Sequence, residues 1–376
     1  MTLIKVKSRG TDKVSGRRNL VINGAMNVAQ RGTSASVTDG TNEGYSTIDR
    51  FRFDYGNNAG GVATISQDST VPSGYGFSNS FKVDVTTADT SVDATHMIIL
   101  KTIIEAQDIR NSGWDYTNSS SKITLSFWAR SVKAGIYNVT LRANDVGAQY
   151  YPIEYTLVAN TWKKVEVSIP GDSSLVFDDN NDVGLEIRWN LQLGDDRNNG
   201  TANQWNGASG GSEKAGTSNQ VNFFDSTDNN FFLTGVQLEV GDSASDFEHR
   251  SFGEELALCQ RYFEKMHGVS SGGGADGTGG YIVGAGIWYG AGQVLGKLDY
   301  KVTKRANPTI ALSANNALKA YTQGAARIAT DTTPFDQIGV NNARINLSNW
   351  NSNGTIGDGT LVQLQSSEFL TIDCDL

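Results

Sequence analysis

Apolar and polar residues alternate through Phe231–Val240, and this two-residue period constrains the fold more than any other feature of the chain. Phe232, Thr234, Val236, Leu238 and Val240 form one series, and Leu233, Gly235, Gln237 and Glu239 the other, as in a strand with one buried face. After a Gly-Asp-Ser turn the period changes. Phe252, Leu256, Cys259, Phe263 and Met266 step by four, three, four and three, which predicts a helix over Gly253–Met266 preceded by the small polar Ser251. Glu254 and Glu255 in its first turn and Lys265 near its end suit the helix dipole. Two heptads are too few to require a coiled coil, so the helix is expected to pack on the β body.

The alternation recurs upstream. Strands are predicted at Phe51–Tyr55, Val62–Gln67, Ser80–Val85, His96–Glu105, Lys122–Ser131, Tyr137–Ala143, Glu154–Val158, Lys163–Ile169 and Val183–Leu193. With 42 glycines against 5 prolines, tight turns are plentiful. The expected class is all-β. A jelly-roll sandwich over 19–250 is followed by a short connecting helix over 251–267, a Gly-rich linker over 268–280 and a second small β domain over 281–376. Ile123, Leu125, Phe127 and Ala129 form a core face, leaving Thr124, Ser126, Trp128 and Arg130 on the other. Leu185, Ile187, Trp189, Leu191 and Leu193 share a core face, with Glu186, Arg188, Asn190 and Gln192 pointing away. Asp195–Gln220, rich in Asn, Gly and Ser, reads as a long exposed loop carrying Trp205.

Charge narrows the partners. A net charge of -9 repels phosphate backbones, which argues against nucleic acid, and no run of 18 apolar residues offers a membrane span. The basic residues of the first 18 positions are Lys5, Lys7, Arg9, Lys13, Arg17 and Arg18, set against Asp12 alone. This arm lacks the apolar segment of a secretory leader and is expected to dock on a partner. Cys259 on the apolar stripe reads as a buried free thiol, the alternative being a disulfide with Cys374. Together these features suit a protein folded in bacterial cytosol and exposed later on a released particle.

Four phrases resemble known proteins. Asn19-Leu-Val-Ile-Asn-Gly-Ala-Met-Asn-Val-Ala-Gln-Arg-Gly32, followed by Ile48-Asp-Arg-Phe-Arg-Phe53, looks like the opening of phage tail-fibre and related virion proteins. Ile123-Thr-Leu-Ser-Phe-Trp-Ala-Arg130 and Asn160-Thr-Trp-Lys-Lys-Val-Glu-Val-Ser-Ile-Pro170 resemble carbohydrate-binding-module jelly rolls. Phe232-Leu-Thr-Gly-Val-Gln-Leu-Glu-Val-Gly241, continuing through Phe247-Glu-His-Arg-Ser-Phe-Gly-Glu-Glu-Leu-Ala-Leu-Cys-Gln-Arg-Tyr262, is again similar to the virion group. A looser match is Tyr300-Lys-Val-Thr-Lys-Arg-Ala-Asn-Pro-Thr309. The resemblance implies a bacteriophage virion structural protein: a tail fibre or fibre-like appendage, commonly a homotrimer, located on the particle. It would join other virion proteins through its N-terminal arm and present β domains to host polysaccharide or lipopolysaccharide. A capsid-decorating fibre, a stand-alone carbohydrate-binding module and a polysaccharide depolymerase are the alternatives.

Sugar rings stack their C–H faces on aromatic side chains while neighbouring polar groups bond the hydroxyls. Trp128, with Arg130 beside it, and Trp205 are therefore the glycan-contact candidates, whereas Trp114, Tyr116, Trp162 and Trp350 read as core or interface. Asp178, Asp179 and Asp182 offer hard oxygens for a structural Ca²⁺, or form an Asn/Asp turn; the spacing of a full calcium loop is absent. No other cofactor is expected. No nucleophile–His–acid ordering or metal-ligand spacing accompanies His249, so Glu248, His249 and Arg250 read as a structural network, and the chain as non-enzymatic.

Overall fold

The computed structural model describes residues 18–376 except 146, 209–212, 269–279, 291, 323–324, 330–333 and 349–354. Lys5, Lys7, Arg9, Lys13, Arg17, Trp350 and most of the Gly-rich linker therefore lie outside the described residues. The fold is all-β, and the chain divides into two compact units. Among the described residues, the first contains 18–26, 36–44 and 52–250; the second contains 27–35, 45–51 and those of 251–376. The unit boundaries thus differ from a simple division at residue 250, because two early segments belong with the C-terminal part.

The first unit is a jelly-roll sandwich. Its strands in chain order are β1 (Ser34–Val37), β2 (Phe51–Gly56), β3 (Val62–Asp68), β4 (Ser80–Thr87), β5 (Met97–Glu105), β6 (Lys122–Ser131), β7 (Gly135–Ala143), β8 (Gln149–Leu157), β9 (Lys163–Pro170), β10 (Val183–Leu193), β11 (Asn206–Gly207) and β12 (Asn230–Val240). One sheet runs β1-β3-β4-β12-β6-β9 and the other β11-β8-β7-β10-β5-β2. Phe127 from the first sheet meets Trp189 from the second edge to face at 5.6 Å, and Ile123, Leu125, Leu185 and Ile187 fill the space around them.

The alternation of β12 does not run through unbroken. Thr234 pairs with Trp128 and Gln237 with Ser126, so the strand holds one extra residue at a bulge around Gly235, whose φ is +64°. The bulge exchanges the faces. Leu233 and Leu238 both point into the core, while Phe232 and Thr234 stand on the outer face with Arg130 and Trp128. The single apolar series expected from Phe232 to Val240 is corrected accordingly. On the far side of the bulge, β12 exchanges β4 for the segment 19–24: Leu20 donates to Leu238 O at 2.9 Å and Val236 to Gly24 O at 2.9 Å. A Cβ on Gly24 would lie 2.0 Å from Val236 O, so only glycine permits this approach.

The second unit contains the helix Phe252–Gln260 and two sheets. The helix opens with a capping box between Ser251 and Glu254. It ends at Gln260, not at Met266. Phe263 and Met266 belong to the strand Phe263–His267, which pairs with Phe369–Asp373, so their helical spacing from Cys259 is coincidental. Sheet pairing, with aromatic residues at 262 and 263, outweighs continuation of the helix. A seven-stranded sheet closes over this three-stranded one around Trp288, Leu298, Ile345, Leu364, Leu370 and Ile372. On the outer face of the larger sheet, Ile282, Ile287 and Leu361 are exposed.

The early segments enter this unit through two stacked arginines. The Arg31 guanidinium lies 3.5 Å from the Phe263 ring centre and that of Arg50 lies 3.5 Å from Tyr262. Arg50 Nη1 bonds Asp375 at 2.9 Å, and Arg31 Nη2 also reaches Asp375. Asp49 accepts from the Gln30 amide at 3.0 Å. Cys259 and Cys374 are free and buried, and burial pushes the Cys259 thiol well up, as an inert core thiol requires.

Candidate functional site

The outer face of the first sheet gathers aromatic and charged side chains in cross-strand rows. Lys82, Phe232 and Arg130 form one row on β4, β12 and β6, and Thr234, Trp128 and Lys164 form the next on β12, β6 and β9. Trp128 is half-buried, and the Tyr75 ring lies 4.3 Å from it, centre to centre. Tyr75 is 52% exposed, so the pair opens to solvent.

This pair rests on a built foundation. His249 Nε2 lies 3.0 Å from Tyr75 O, and its ring packs at 5.3 Å from Phe77, which in turn meets Phe247 at 5.0 Å. A Cβ on Gly235 would lie 2.6 Å from Phe77 and 3.0 Å from Trp128, so the bulge glycine leaves the room both rings occupy. Glu248 anchors the corner: it accepts from the amides of Arg18 (3.3 Å) and Asn19 (2.6 Å) and pairs with Arg250 at 2.9 Å. The Glu248-His249-Arg250 phrase therefore has structural work to do. Arg18 donates to Asp246 O at 2.6 Å and lies 3.6 Å from Glu239, so it is seated on the sandwich.

Arg130 is held firmly. Its Nε donates to Asn160 O at 3.1 Å and its Nη2 to Asn160 Oδ1 at 2.9 Å, while its guanidinium lies 5.1 Å from the Phe232 ring centre. Trp162, also half-buried, packs on the same Phe232 at 6.2 Å, so it too stands on this outer face. Lys82 pairs with Asp84 at 3.3 Å and Lys164 with Glu166 at 2.5 Å.

Trp205 lies elsewhere. Its Nε1 donates to Pro170 O at 2.9 Å and its ring meets Tyr151 edge-on at 5.2 Å, so it pins the residues beside it to the sandwich edge. The structure does not bring it together with Trp128 and Arg130. The 178–182 turn supports the short helix Ala106–Arg110: the Ala106 amide donates to Asp182 O at 3.0 Å and that of Gln107 to Asn180 O at 2.9 Å. Asp178 donates its amide to Asp145 at 3.0 Å, and Asp179 accepts from Asn111 at 3.4 Å. Among the described residues, Asp178, Asp179 and Asp182 do not converge as a metal-binding group.

A second cluster was not foreseen. Glu186, Arg188, Asn190 and Gln192 do point away from the core, but residues 213–222 cover this face and all four are buried. Glu186 is bonded by Arg188, by Arg142 at 3.2 Å and by Lys101 at 3.8 Å; Arg188 continues to Glu213 at 3.2 Å. Asn190 donates to Ala215 O at 2.7 Å, and Asn138 accepts from the Thr217 amide at 3.2 Å. Burial alone would raise the Glu186 carboxyl, but Arg188, Lys101 and Arg142 together bring it down to about 2.

Fold and site together define an all-β sandwich with an open aromatic–cation face. No family model matches the chain, and no curated protein matches it at a significant level. Among solved structures, the enzymatically active domain of tailspike protein 4 from bacteriophage CBA120 is similar at 15% identity over 59% of this chain and 21% of its own, with a TM-score of 0.31. A CBM4 carbohydrate-binding module aligns at 15% identity over 58% of this chain and 98% of its own, TM-score 0.30. The N-terminal cellulose-binding domain from Cellulomonas fimi beta-1,4-glucanase C aligns at 10% identity over 57% and 98%, TM-score 0.26. Among the described residues, no helix is long and apolar enough to cross a membrane.

Proposed function

We propose that this chain is a structural component of a bacteriophage particle that displays its jelly roll to host surface glycan and acts by contact, without a catalytic step. One observation carries the contact: the Tyr75–Trp128 pair is open to solvent on a sheet face, with Arg130 and Lys164 around it. Such a platform stacks a sugar ring and bonds its hydroxyls. The particle assignment is supported by the resemblance of residues 19–53 and 232–262 to virion proteins. Self-association belongs to the same reading, and exposed Ile282, Ile287 and Leu361 offer an apolar surface for it.

Affinity electrophoresis through gels holding lipopolysaccharide, polygalacturonate or dextran tests the contact. Wild type should be retarded by at least one of them, and Trp128→Ala should weaken that retardation about tenfold. Its melting temperature should stay within about 3 °C, since the ring is half-buried on an outer face. Equal retardation of both proteins would remove the contact. The particle role has a separate test. Deletion of residues 1–17 should leave a folded, soluble protein that fails to enter particles, because the first unit is anchored from Arg18 onward. Normal incorporation of the truncated chain would refute it.

A further inference from the structure

We infer that the glycan is acidic and that Arg130 receives its carboxylate. This rests on the reading that the Trp128 face contacts a saccharide and adds the chemical class of that saccharide. Three observations carry it.

First, both groups that hold Arg130 are neutral: the carbonyl and side-chain oxygens of Asn160. Among the described residues no carboxylate comes within 4.0 Å of its guanidinium, whereas Lys82 and Lys164 nearby each have one. Two of its five N–H donors are used, and the positive charge is left uncompensated. Secondly, Arg130 is preorganised. Asn160 and the Phe232 ring fix the plane of the guanidinium, so little freedom is lost when a planar carboxylate docks on it. Thirdly, Arg130 and Trp128 stand two residues apart on one face of β6, about 7 Å along the strand. A single hexuronate can bridge that spacing, with its ring on Trp128 and its carboxylate on Arg130. The net charge of the whole chain is -9, so a local cation of this kind is not a consequence of a generally basic surface.

The test uses glycans that differ in their carboxylates: polygalacturonate against its fully methyl-esterified form, with alginate and hyaluronate against dextran as further arms. Wild type should bind an acidic member at least about tenfold more tightly than the matching neutral one, and the preference should shrink as salt is raised. Arg130→Gln, which removes the charge and keeps an amide N–H at the Nε position to bond Asn160 O, should lose the preference. Its residual affinity should equal that for the neutral form. Arg130→Lys should retain part of the preference, since charge remains but the planar fork does not. A melt of each variant guards against unfolding.

Equal binding of acidic and neutral forms, or an unchanged preference in folded Arg130→Gln, would overturn the inference. If a neutral glycan alone binds, and Trp128→Ala abolishes that binding, the glycan-contact reading survives while the acidic class fails. No retention by any glycan would overturn both.

Discussion

Replacing Arg50 by alanine should lower the stability of the second unit by about 3–5 kcal/mol, the usual cost of removing one partner from a buried ion pair. The side chain is 1% exposed, bonds Asp375 at 2.9 Å and stacks on Tyr262 at 3.5 Å. Alanine would leave the Asp375 carboxylate with less compensation in a site where water cannot replace the guanidinium, and would open a void against Tyr262. In a melt the transition of this unit should fall by roughly 10 °C or more. Arg50→Lys should fall between wild type and alanine, because an ammonium keeps the charge and loses the flat stack. An alanine variant melting with wild type would show that the two arginines decorate this unit without holding it.

Acid should act on Glu186 and Asp49 with opposite signs. Glu186 in the first unit has its carboxyl held down at about 2, against an ordinary value of 4.5. A carboxyl lowered by folding stabilises the native state fully above about pH 4.5, and that contribution is lost as the pH falls through 2. The difference corresponds to about 3 kcal/mol. Glu186→Gln should therefore lose about that much at pH 7, leaving Arg188, Arg142 and Lys101 facing one another, and its stability curve should meet that of wild type near pH 2. Asp49 in the second unit is the reverse case. Burial raises its carboxyl to about 6, against the hydrogen bonds of Gln30 and the charge of Arg31. Ionisation above pH 6 penalises its native state, and the penalty disappears as the pH falls toward 4. Denaturant midpoints between pH 2 and 8, read with a probe in each unit, measure both. Parallel acid curves for wild type and Glu186→Gln would show that the network does not depend on that charge.

The residues that carry the resemblance prove to be assembly residues. Asn19 bonds β12 and Glu248, Gly24 admits Val236, and Gln30, Arg31, Asp49 and Arg50 build one cluster with Tyr262 and Phe263. Sequence reading found the phrases but not their convergence, because pairing over more than 200 positions leaves no local signal.

Where one period dominates, the faces were legible. β6 and β10 place their apolar series inside, with Trp128 and Arg130 outside, as alternation requires. Two features interrupt that logic. The Gly235 bulge inverts β12 halfway, putting Phe232 under Arg130, and an isolated glycine in an alternating run was the available signal. The helix period seemed to extend to Met266 because a strand residue can fall on a helical step by chance. Tyr75 was invisible for a different reason: it lies in a Pro/Gly-containing loop without periodicity and reaches Trp128 only through the tertiary fold. Alternation likewise gave the direction of Glu186 and Arg188 but not their burial, since the covering segment is polar and reads as exposed.

The most direct measurement follows the indole N–H resonances of the seven tryptophans while the protein is titrated with the glycan that retards it in gels. The Trp128 signal should move most and saturate with the binding curve, while those of Trp189 in the core and Trp205 at the sandwich edge stay in place. A dominant shift at Trp205, or saturation of binding with the Trp128 signal unmoved, would place the contact somewhere other than the outer face of the first sheet.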